Sequence, residues 1–450
     1  MIIVPFGAVS GYVSVAMAFL ATKSGLSVGQ AAALIFWGML PHTLKFFWAP
    51  VADTTLSRKR WYLISVAICA IGMCALGAIP LSPENLRLLE GVNLLTNIAA
   101  TFLGMSAEGL MAHATPPNQR GRVGGWFQAG NLGGSGLGGG AGLWMATSLP
   151  SEHAPVRWIS GAVLGAAFLA CAAALLFVPE AAAETREGSL LSAMRRVLVE
   201  IWRMIKSRAG MLCAVLCVLP IGTGAATNVL SQAEVAANWG VAEDTVGLVN
   251  GTLNGVISAF GCLVCGEICA RYSSRRVYAV VGLLMALVAA GMAVAPLKPW
   301  SYVVFILAYA FTSGLAYAAF TGFVLDAIGK GAAATKYNAF ASLSNAPIAY
   351  MGLVLAWVYA WKGWGGLLGV GTASSTALAS GPMNARGMLF TEAGAGVLGL
   401  VVLAGAVAAV RKMRDPAFLH CPRCKYNLTG LEGATRCPEC GAELGVAMRA

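Results

Sequence analysis

Twelve apolar segments, each long enough to cross a lipid bilayer, follow one another along the chain. They cover residues 2–22, 30–52, 61–80, 86–113, 121–148, 156–178, 209–238, 244–270, 276–296, 300–328, 335–361 and 386–410. A membrane-spanning α-helix needs roughly 20 predominantly apolar residues. The pattern therefore predicts an all-α membrane protein with twelve transmembrane helices.

The longest polar stretch between these segments lies at the midpoint of the chain. It divides the sequence into a six-helix half, 1–178, a linker, 179–208, a second six-helix half, 209–410, and a tail, 411–450. Two parallel halves around a central site are a common transporter layout. Basic residues surround an apolar-periodic run within the linker, which indicates an amphipathic helix on the membrane surface.

The composition supports a lipid environment. Hydrophobic residues make up 58% of the chain and charged residues only 11%, whereas soluble domains carry about 25% charged residues. The 55 glycines suit close helix packing in a membrane. A net charge of +11 would suggest a nucleic-acid partner in a soluble protein. Here the charge lies in short loops, so we expect the lipid bilayer as a partner and no nucleic acid.

The distribution of basic residues predicts the orientation. Of the 30 lysines and arginines, 23 lie in the tail or in loops after even-numbered segments, and six lie on the opposite side. Lys45 falls within a segment. Cytoplasmic loops carry an excess of lysine and arginine. We therefore expect a multi-pass protein of the inner (plasma) membrane with both termini in the cytoplasm.

Two charged residues interrupt the apolar segments of the first half. Lys45 lies in the second segment and Glu108 in the fourth, at similar depth from the predicted cytoplasmic side. A charge in the hydrocarbon region is costly and usually faces a cavity or a partner. For Lys45, snorkelling to the headgroups, a structural ion pair and a substrate or coupling role all remain open. Glu108 is its natural partner, either in a fixed pair or as a proton carrier.

Further candidates for transport or coupling are polar residues near the segments. Asp53 ends the second segment, and Asp326 lies near the end of the tenth. Asn228 and Tyr317 belong to polar stripes at helical spacing, formed by Thr223, Thr227, Asn228 and Gln232 in the seventh segment and by Tyr309, Ser313, Tyr317 and Thr321 in the tenth. Such stripes suit a cavity for sugars or peptides, and helix–helix hydrogen bonding explains them equally well.

Three stretches carry a family resemblance. The run Pro41–Asp53 with Arg58-Lys59-Arg60-Trp61, the run Ala107-Glu108-Gly109 with the loop 116–121, and the run 333–343 resemble the muropeptide permease (AmpG-like) and acetyl-CoA transporter branch of the major facilitator superfamily. The resemblance implies the twelve-helix facilitator fold and proton-driven import of a cell-wall sugar-peptide. It also implies that Asp53 and the basic cluster act as a conformational latch between the two halves.

The sequence departs from that branch at several positions. His42 stands where the branch has an aromatic residue, Glu108 replaces an aspartate, and Ala112 replaces a second acid. The substrate therefore stays open, and the expected solute is a small molecule carried with protons. Drug or metabolite efflux antiporters have a glycine-rich motif in the fifth helix, usually with a proline. Here glycines recur from Gly124 to Gly142 without a proline, and helix packing explains them as well. A membrane-anchored sensor or scaffold is a further alternative, and we expect no enzyme.

The tail contains four cysteines in a ribbon-type pattern. Cys421 and Cys424 form one C-x-x-C pair, and Cys437 and Cys440 form a second pair twelve residues later. Four thiolates from two turns match tetrahedral zinc, and a site filled by four protein ligands is structural. The cytosol is reducing, which favours zinc over disulfides. The other eight cysteines lie in apolar segments, where cysteine acts as a small hydrophobic residue.

Overall fold

The computed structural model describes residues 1–26, 28–148, 157–179, 195, 198–199, 201–202, 204–328, 333–360, 382–411, 421, 423, 436–437 and 441–443. Its helices form twelve segments, α1 to α12, at the positions that the apolar pattern predicts. In the N-terminal half these are α1 (Val4–Gly11, a π-helical turn Tyr12–Met17, and Ala18–Lys23), α2 (Val28–Leu44, a 3₁₀ turn Lys45–Phe47, and Ala49–Thr54), α3 (Arg58–Ala78), α4 (Leu86–Ala114), α5 (Arg120–Ser148) and α6 (Arg157–Ala172 with a 3₁₀ turn Ala173–Phe177).

The C-terminal half contains the other six segments. They are α7 (Arg208–Val218, Ala226–Leu230, Ala233–Ala236 and a 3₁₀ turn Ala237–Trp239), α8 (Glu243–Leu248, a π-helical turn Val249–Leu253, and Asn254–Cys269), α9 (Ser274–Val294), α10 (Pro299–Ile328), α11 (Ala333–Ala360) and α12 (Pro382–Arg411). Serine side chains cap the N-termini of α3 and α7. The Ser57 and Ser207 hydroxyls accept hydrogen bonds from the backbone N–H groups of Arg60 and Gly210, as N-cap residues do.

Among the described residues, nine helices are long and apolar enough to cross a membrane. The other three segments are α2, α5 and α7. A 3₁₀ turn interrupts α2, glycines lower the hydropathy of α5, and α7 contains only the short apolar helix Arg208–Val218 before it breaks. The prediction of an all-α fold with twelve long helical segments agrees with this architecture.

The seventh segment corrects the sequence prediction of one uninterrupted helix over 209–238. The backbone leaves the helix after Val218 and resumes it at Ala226. Pro220 lies in the break, and Gly222 and Gly224 have φ angles of 64° and 59°. Glycine adopts this left-handed conformation without the steric cost that other residues incur. Thr223 therefore lies in the break, so the predicted polar stripe of this segment does not follow one helix face.

Close packing of α5 connects the two halves. Gly125 and Gly136 of α5 face Gly266 and Gly255 of α8, and an added Cβ at Gly136 would stand 2.9 Å from the Cα atom of Gly255. Glycines at these positions let the two backbones approach, as small residues do in membrane helix pairs. Gly134 approaches α1 on the other side of α5. Packing thus accounts for the glycines of this helix.

The buried apolar residues form three main cores. One lies within the N-terminal half and one within the C-terminal half. The third core joins the halves, because Ala107, Met111 and Phe127 pack together with side chains of α10 and α11, such as Phe320 and Phe340. We call the end of the bundle that the positive-inside count assigns to the cytoplasm the inner end. The shared core lies toward that end.

Most of the linker and tail lies outside the described residues. In the linker, Trp202 is exposed and the Lys206 ammonium lies 4.8 Å from the centre of its ring, while the amphipathic helix as a whole stays a prediction. In the tail, Cys424 and Cys440 lie outside the described residues. The zinc site and both domain boundaries there stay predictions.

Candidate functional site

Lys45 and Glu108 meet at the interface between the two halves. The Lys45 Nζ atom lies 3.6 Å from Oε1 of Glu108, and both side chains are buried. The other carboxylate oxygen, Oε2, accepts a hydrogen bond of 2.6 Å from the side-chain amide of Asn338 on α11. One carboxylate therefore connects α2 and α4 of the first half with α11 of the second. The pairing agrees with the expectation from matched depth.

The turn that carries Lys45 explains how a lysine in an apolar segment avoids lipid. The helix of α2 tightens to a 3₁₀ turn at Lys45–Phe47, between Pro41 and Pro50. The turn presents Phe46 and Phe47 to the surface and buries Lys45. The ammonium also lies 5.8 Å from the ring centre of Phe6 on α1, within cation–π range. Snorkelling, one of the three sequence interpretations, does not fit this buried position.

A ladder of polar contacts extends from this pair along α2 and α4. His42 Nε2 lies 3.0 Å from the Asn97 side-chain oxygen, and Trp48 donates to the Thr101 hydroxyl at 3.0 Å. The Asn93 amide donates to the backbone oxygen of Leu34 at 2.7 Å. Sequence reasoning missed this ladder. The signal was available, because Asn93, Asn97 and Thr101 recur every four residues and so share one face of α4.

Asp53 joins the halves at the inner end. Its Oδ2 atom accepts hydrogen bonds from the backbone N–H and the hydroxyl of Thr335, at 2.8 and 2.7 Å, in the first turn of α11. Its Oδ1 atom lies 3.4 Å from the Arg58 guanidinium. A carboxylate at a helix N-terminus satisfies free N–H groups and interacts favourably with the helix dipole. Asp53 thus has the geometry of the latch that the family resemblance implies, while its role in transport stays a prediction.

Two ion pairs between the halves lie closer to the inner surface. Arg122 of α5 binds the carboxylate of Glu267 on α8 through two hydrogen bonds of 2.7 and 2.8 Å. Arg120 lies 3.3 Å from Asp326 at the end of α10. Asp326 therefore forms part of the interface between the halves. Arg122 is one of the basic loop residues that the orientation count includes, and its partner lies 145 residues away along the chain.

A buried hydroxyl cluster lies between those ion pairs and the Glu108 site. The Gln128 amide of α5 donates to the Thr321 hydroxyl of α10 at 2.8 Å, and Thr321 lies 3.0 Å from the hydroxyl of Tyr337 on α11. Asn131 donates to the Gln128 oxygen at 3.0 Å. Hydrogen bonding of this kind between helices was one of the two interpretations of the stripe on α10. For Thr321 it is the one observed.

The remaining two candidates lie apart from the Lys45–Glu108 pair. Asn228 is exposed in the short helix after the break in α7, and its backbone oxygen accepts from the Ser231 hydroxyl. Tyr317 is 37% exposed, although Ala316 and Ala318 beside it on α10 are buried. Its ring thus reaches accessible space from a helix that is otherwise largely enclosed. Neither residue contacts Lys45, Glu108 or Asp53 in the described contacts.

These contacts together describe a bundle whose inner end is closed. Asp53, Glu108, Arg120, Arg122 and Gln128 of the first half all bond to the second half. A path from the middle of the bundle to its inner end would require these bonds to break. The arrangement can therefore switch access to a central site by separating the inner ends of the halves.

Comparisons with known proteins agree with this architecture. The family model of the Major Facilitator Superfamily matches residues 1–351. The proton:xylose symporter XylE bound to 6-bromo-6-deoxy-D-glucose is similar in structure, with 12% sequence identity, a TM-score of 0.63, and coverage of 90% of this chain and 94% of that chain. The E. coli fucose:proton symporter FucP has 13% identity, a TM-score of 0.59, and coverage of 89% and 97%. No curated protein matches this sequence.

The buried pair generates a first prediction. Glu108→Gln retains an oxygen that accepts from Asn338 but leaves the Lys45 ammonium without a counter-charge. Breaking a buried pair in this way costs about 3–5 kcal/mol, so thermal unfolding in detergent should occur at a lower temperature than in the wild type. Adding Lys45→Met should recover most of the loss. A Glu108→Gln protein as stable as the wild type would show that the pair does not stabilise the fold.

The ion pair between Arg122 and Glu267 generates a second prediction. Arg122→Glu places two carboxylates together, so the inner ends should separate more often. Cys269 reports this opening, because α5 packs against it at Gly121. We expect faster maleimide labelling of Cys269, measured by mass spectrometry, in Arg122→Glu, and a return to the wild-type rate in Arg122→Glu/Glu267→Arg. Equal labelling in all three proteins would mean that this pair does not hold the halves together.

Proposed function

The chain belongs to the Major Facilitator Superfamily, and we propose that it imports a small polar solute together with protons. Members of this superfamily are membrane carriers that alternate access to a central site. The long apolar helices of this chain support a multi-pass location in the membrane. The observation that carries proton coupling is the buried carboxylate of Glu108, which binds a lysine in its own half and an amide in the other half.

The geometry of Glu108 supplies a mechanism. A proton that binds the carboxylate removes the negative charge that balances Lys45, and the attraction between the two groups is lost. Because the same carboxylate accepts from Asn338, protonation also weakens a bond between the halves. The inner contacts at Asp53 and Arg122 then separate, and the solute and proton leave to the cytoplasm. Titratable residues inside membrane segments commonly serve proton relays of this kind.

A sugar or a sugar-peptide is the solute class that we propose. The two similar structures are described as proton-coupled symporters of xylose and fucose. Motifs around Glu108 resemble the muropeptide permease branch, whose solute is a cell-wall sugar-peptide. Hydroxyl and amide groups such as Tyr317 and Asn228 suit such a solute, since they form hydrogen bonds without adding charge. The glycines of α5 pack against α1 and α8, so no observation favours the efflux alternative.

Uptake into proteoliposomes tests this function. Labelled xylose, fucose, N-acetylglucosamine and a disaccharide-peptide fragment of peptidoglycan are offered with an inward proton gradient. We expect at least one of them to accumulate, and a protonophore to abolish the accumulation. Glu108→Gln should also abolish it, whereas Glu90→Gln, a matched change at a buried glutamate of α4 that bonds to Arg87, should not. Accumulation that survives the protonophore would contradict proton coupling.

We also propose that the tail binds one structural zinc ion through Cys421, Cys424, Cys437 and Cys440. Cys421 and Cys437 are buried. The Cys437 N–H donates to the Ala442 oxygen at 2.8 Å and the Gly441 N–H to the Cys437 oxygen at 2.9 Å, with Gly441 at a φ of 68°. This tight turn follows Cys437, whose thiolate is one of the four proposed donors to zinc. Among the described residues alone, no three His, Cys, Asp or Glu side chains form a metal cluster.

Metal analysis of the purified chain tests the zinc proposal. We expect one zinc per chain, and its loss in Cys437→Ser. A tail of 40 residues builds little core of its own, so a chelator should expose residues 411–450 to limited proteolysis while the helical bundle keeps its unfolding temperature. A metal-free chain with a protease-resistant tail would contradict the proposal.

A further inference from the structure

The C-terminal half contains a second buried carboxylate. Glu392 of α12 is 6% exposed. Its Oε2 atom accepts a hydrogen bond of 2.6 Å from the Tyr309 hydroxyl of α10, and its Oε1 atom accepts from the Ala226 backbone N–H at 3.1 Å. The Thr223 hydroxyl lies 3.5 Å from Oε1. All three partners are neutral, whereas Glu108 has a lysine. An ionisable residue in this setting is expensive to bury and is usually functional.

The partners of Glu392 lie at the break in α7. Thr223 belongs to the non-helical stretch between Val218 and Ala226, and Ala226 begins the helix that follows. Backbone that leaves the helix at membrane depth is tolerated only when protein or a cavity satisfies it. In transporters, interrupted helices of this kind form substrate and ion sites. Glu392 therefore holds the helix after the break in place by satisfying its first N–H group.

Few other titratable groups lie near this carboxylate. Gly396, one turn from Glu392 on α12, packs against Ala286 of α9. The titratable residue of α9 that is nearest to Ala286 is Tyr278, which lies about 12 Å from it along the helix axis. Three other titratable or charged side chains come next on the neighbouring helices: Cys217 of α7, Tyr350 of α11 and Arg386 of α12. Tyr350 donates to the Val218 backbone oxygen, and Arg386 donates to the Ala295 backbone oxygen. In these described contacts, Tyr309 is the titratable group that touches Glu392.

We propose that Glu392 is a proton-binding site of the C-terminal half and that its protonation releases the part of α7 after the break, Ala226–Trp239. The ionised carboxylate accepts from Tyr309, Ala226 and Thr223 at once. Protonation removes the negative charge that strengthens these three hydrogen bonds, so the bond that Oε1 accepts from the Ala226 N–H weakens. The step balances, since the carboxylate binds one proton and no covalent bond breaks. This inference deepens the proposed function, because it adds a second proton site to the carrier.

Hydrogen–deuterium exchange of the wild-type chain in nanodiscs tests the proposal without any solute. After correction for the intrinsic pH dependence of exchange, amides in peptides that cover Ala226–Leu230 should exchange about tenfold faster in acid than in alkaline buffer. This factor is about the amount by which a hydrogen bond to a charged group exceeds one to a neutral group. Peptides of α9 should show no such change. Exchange of Ala226–Leu230 that does not respond to pH overturns the proposal.

Two variants separate titration of Glu392 from a purely structural role. Glu392→Gln keeps an oxygen for Ala226 but cannot ionise, so the pH response should disappear. Tyr309→Phe removes another partner of the same carboxylate but leaves the titrating group, so the response should persist. A response that Glu392→Gln retains also overturns the proposal. If Glu392→Gln fails to fold, the wild-type pH series still decides. Failure of uptake with a normal exchange response would count against the proposed function alone.

Discussion

Charges buried among apolar helices must find their partners within the protein, and the structure depends on how this requirement is met. The cost of leaving a lysine or glutamate unpaired in hydrocarbon is several kcal/mol. Lys45 and Glu108 satisfy it by meeting between α2 and α4, and Asn338 supplies the remaining hydrogen bond from α11. The same requirement that positions these side chains therefore also binds one half of the carrier to the other.

The contacts between the halves differ in depth, and this gradation suits an interface that must open and close. Gln128, Thr321 and Tyr337 form a buried cluster, whereas Arg122 and Glu267 are about half exposed. Exposed ion pairs contribute little to stability because water and salt screen them. Arg122 and Glu267 thus join the halves through bonds that water can readily replace. The buried carboxylate beneath them is the group whose charge has a large energetic effect.

The two halves treat their buried acids differently. Glu108 has a lysine as its partner and lies in a continuous helix, while the partners of Glu392 among the described residues are neutral donors beside a broken helix. The break in α7 gives this half a short helical section that can move without bending a long helix.

The sequence by itself determined the features that depend on local composition. The number of apolar segments, the division into halves, and the cost of burying Lys45 and Glu108 all follow from residue type and spacing, and the helices α3, α4, α9 and α10 lie close to their predicted positions. Pro220, Gly222 and Gly224 together indicate the break in α7 from the sequence alone. A count of apolar segments does not reveal this break, because a few turn residues hardly change how apolar a long segment is.

Only the tertiary structure decided which polar groups meet. Hydropathy does not fix the rotation of a helix about its axis, so it cannot show that Asp53 faces Thr335, that Arg122 faces Glu267, or that Glu392 reaches Tyr309. These partners come from different helices, and the separation of Asp53 and Thr335 along the chain is 282 residues. Helix packing brings them together. The sequence could name the charges that need partners, and the fold chose the partners.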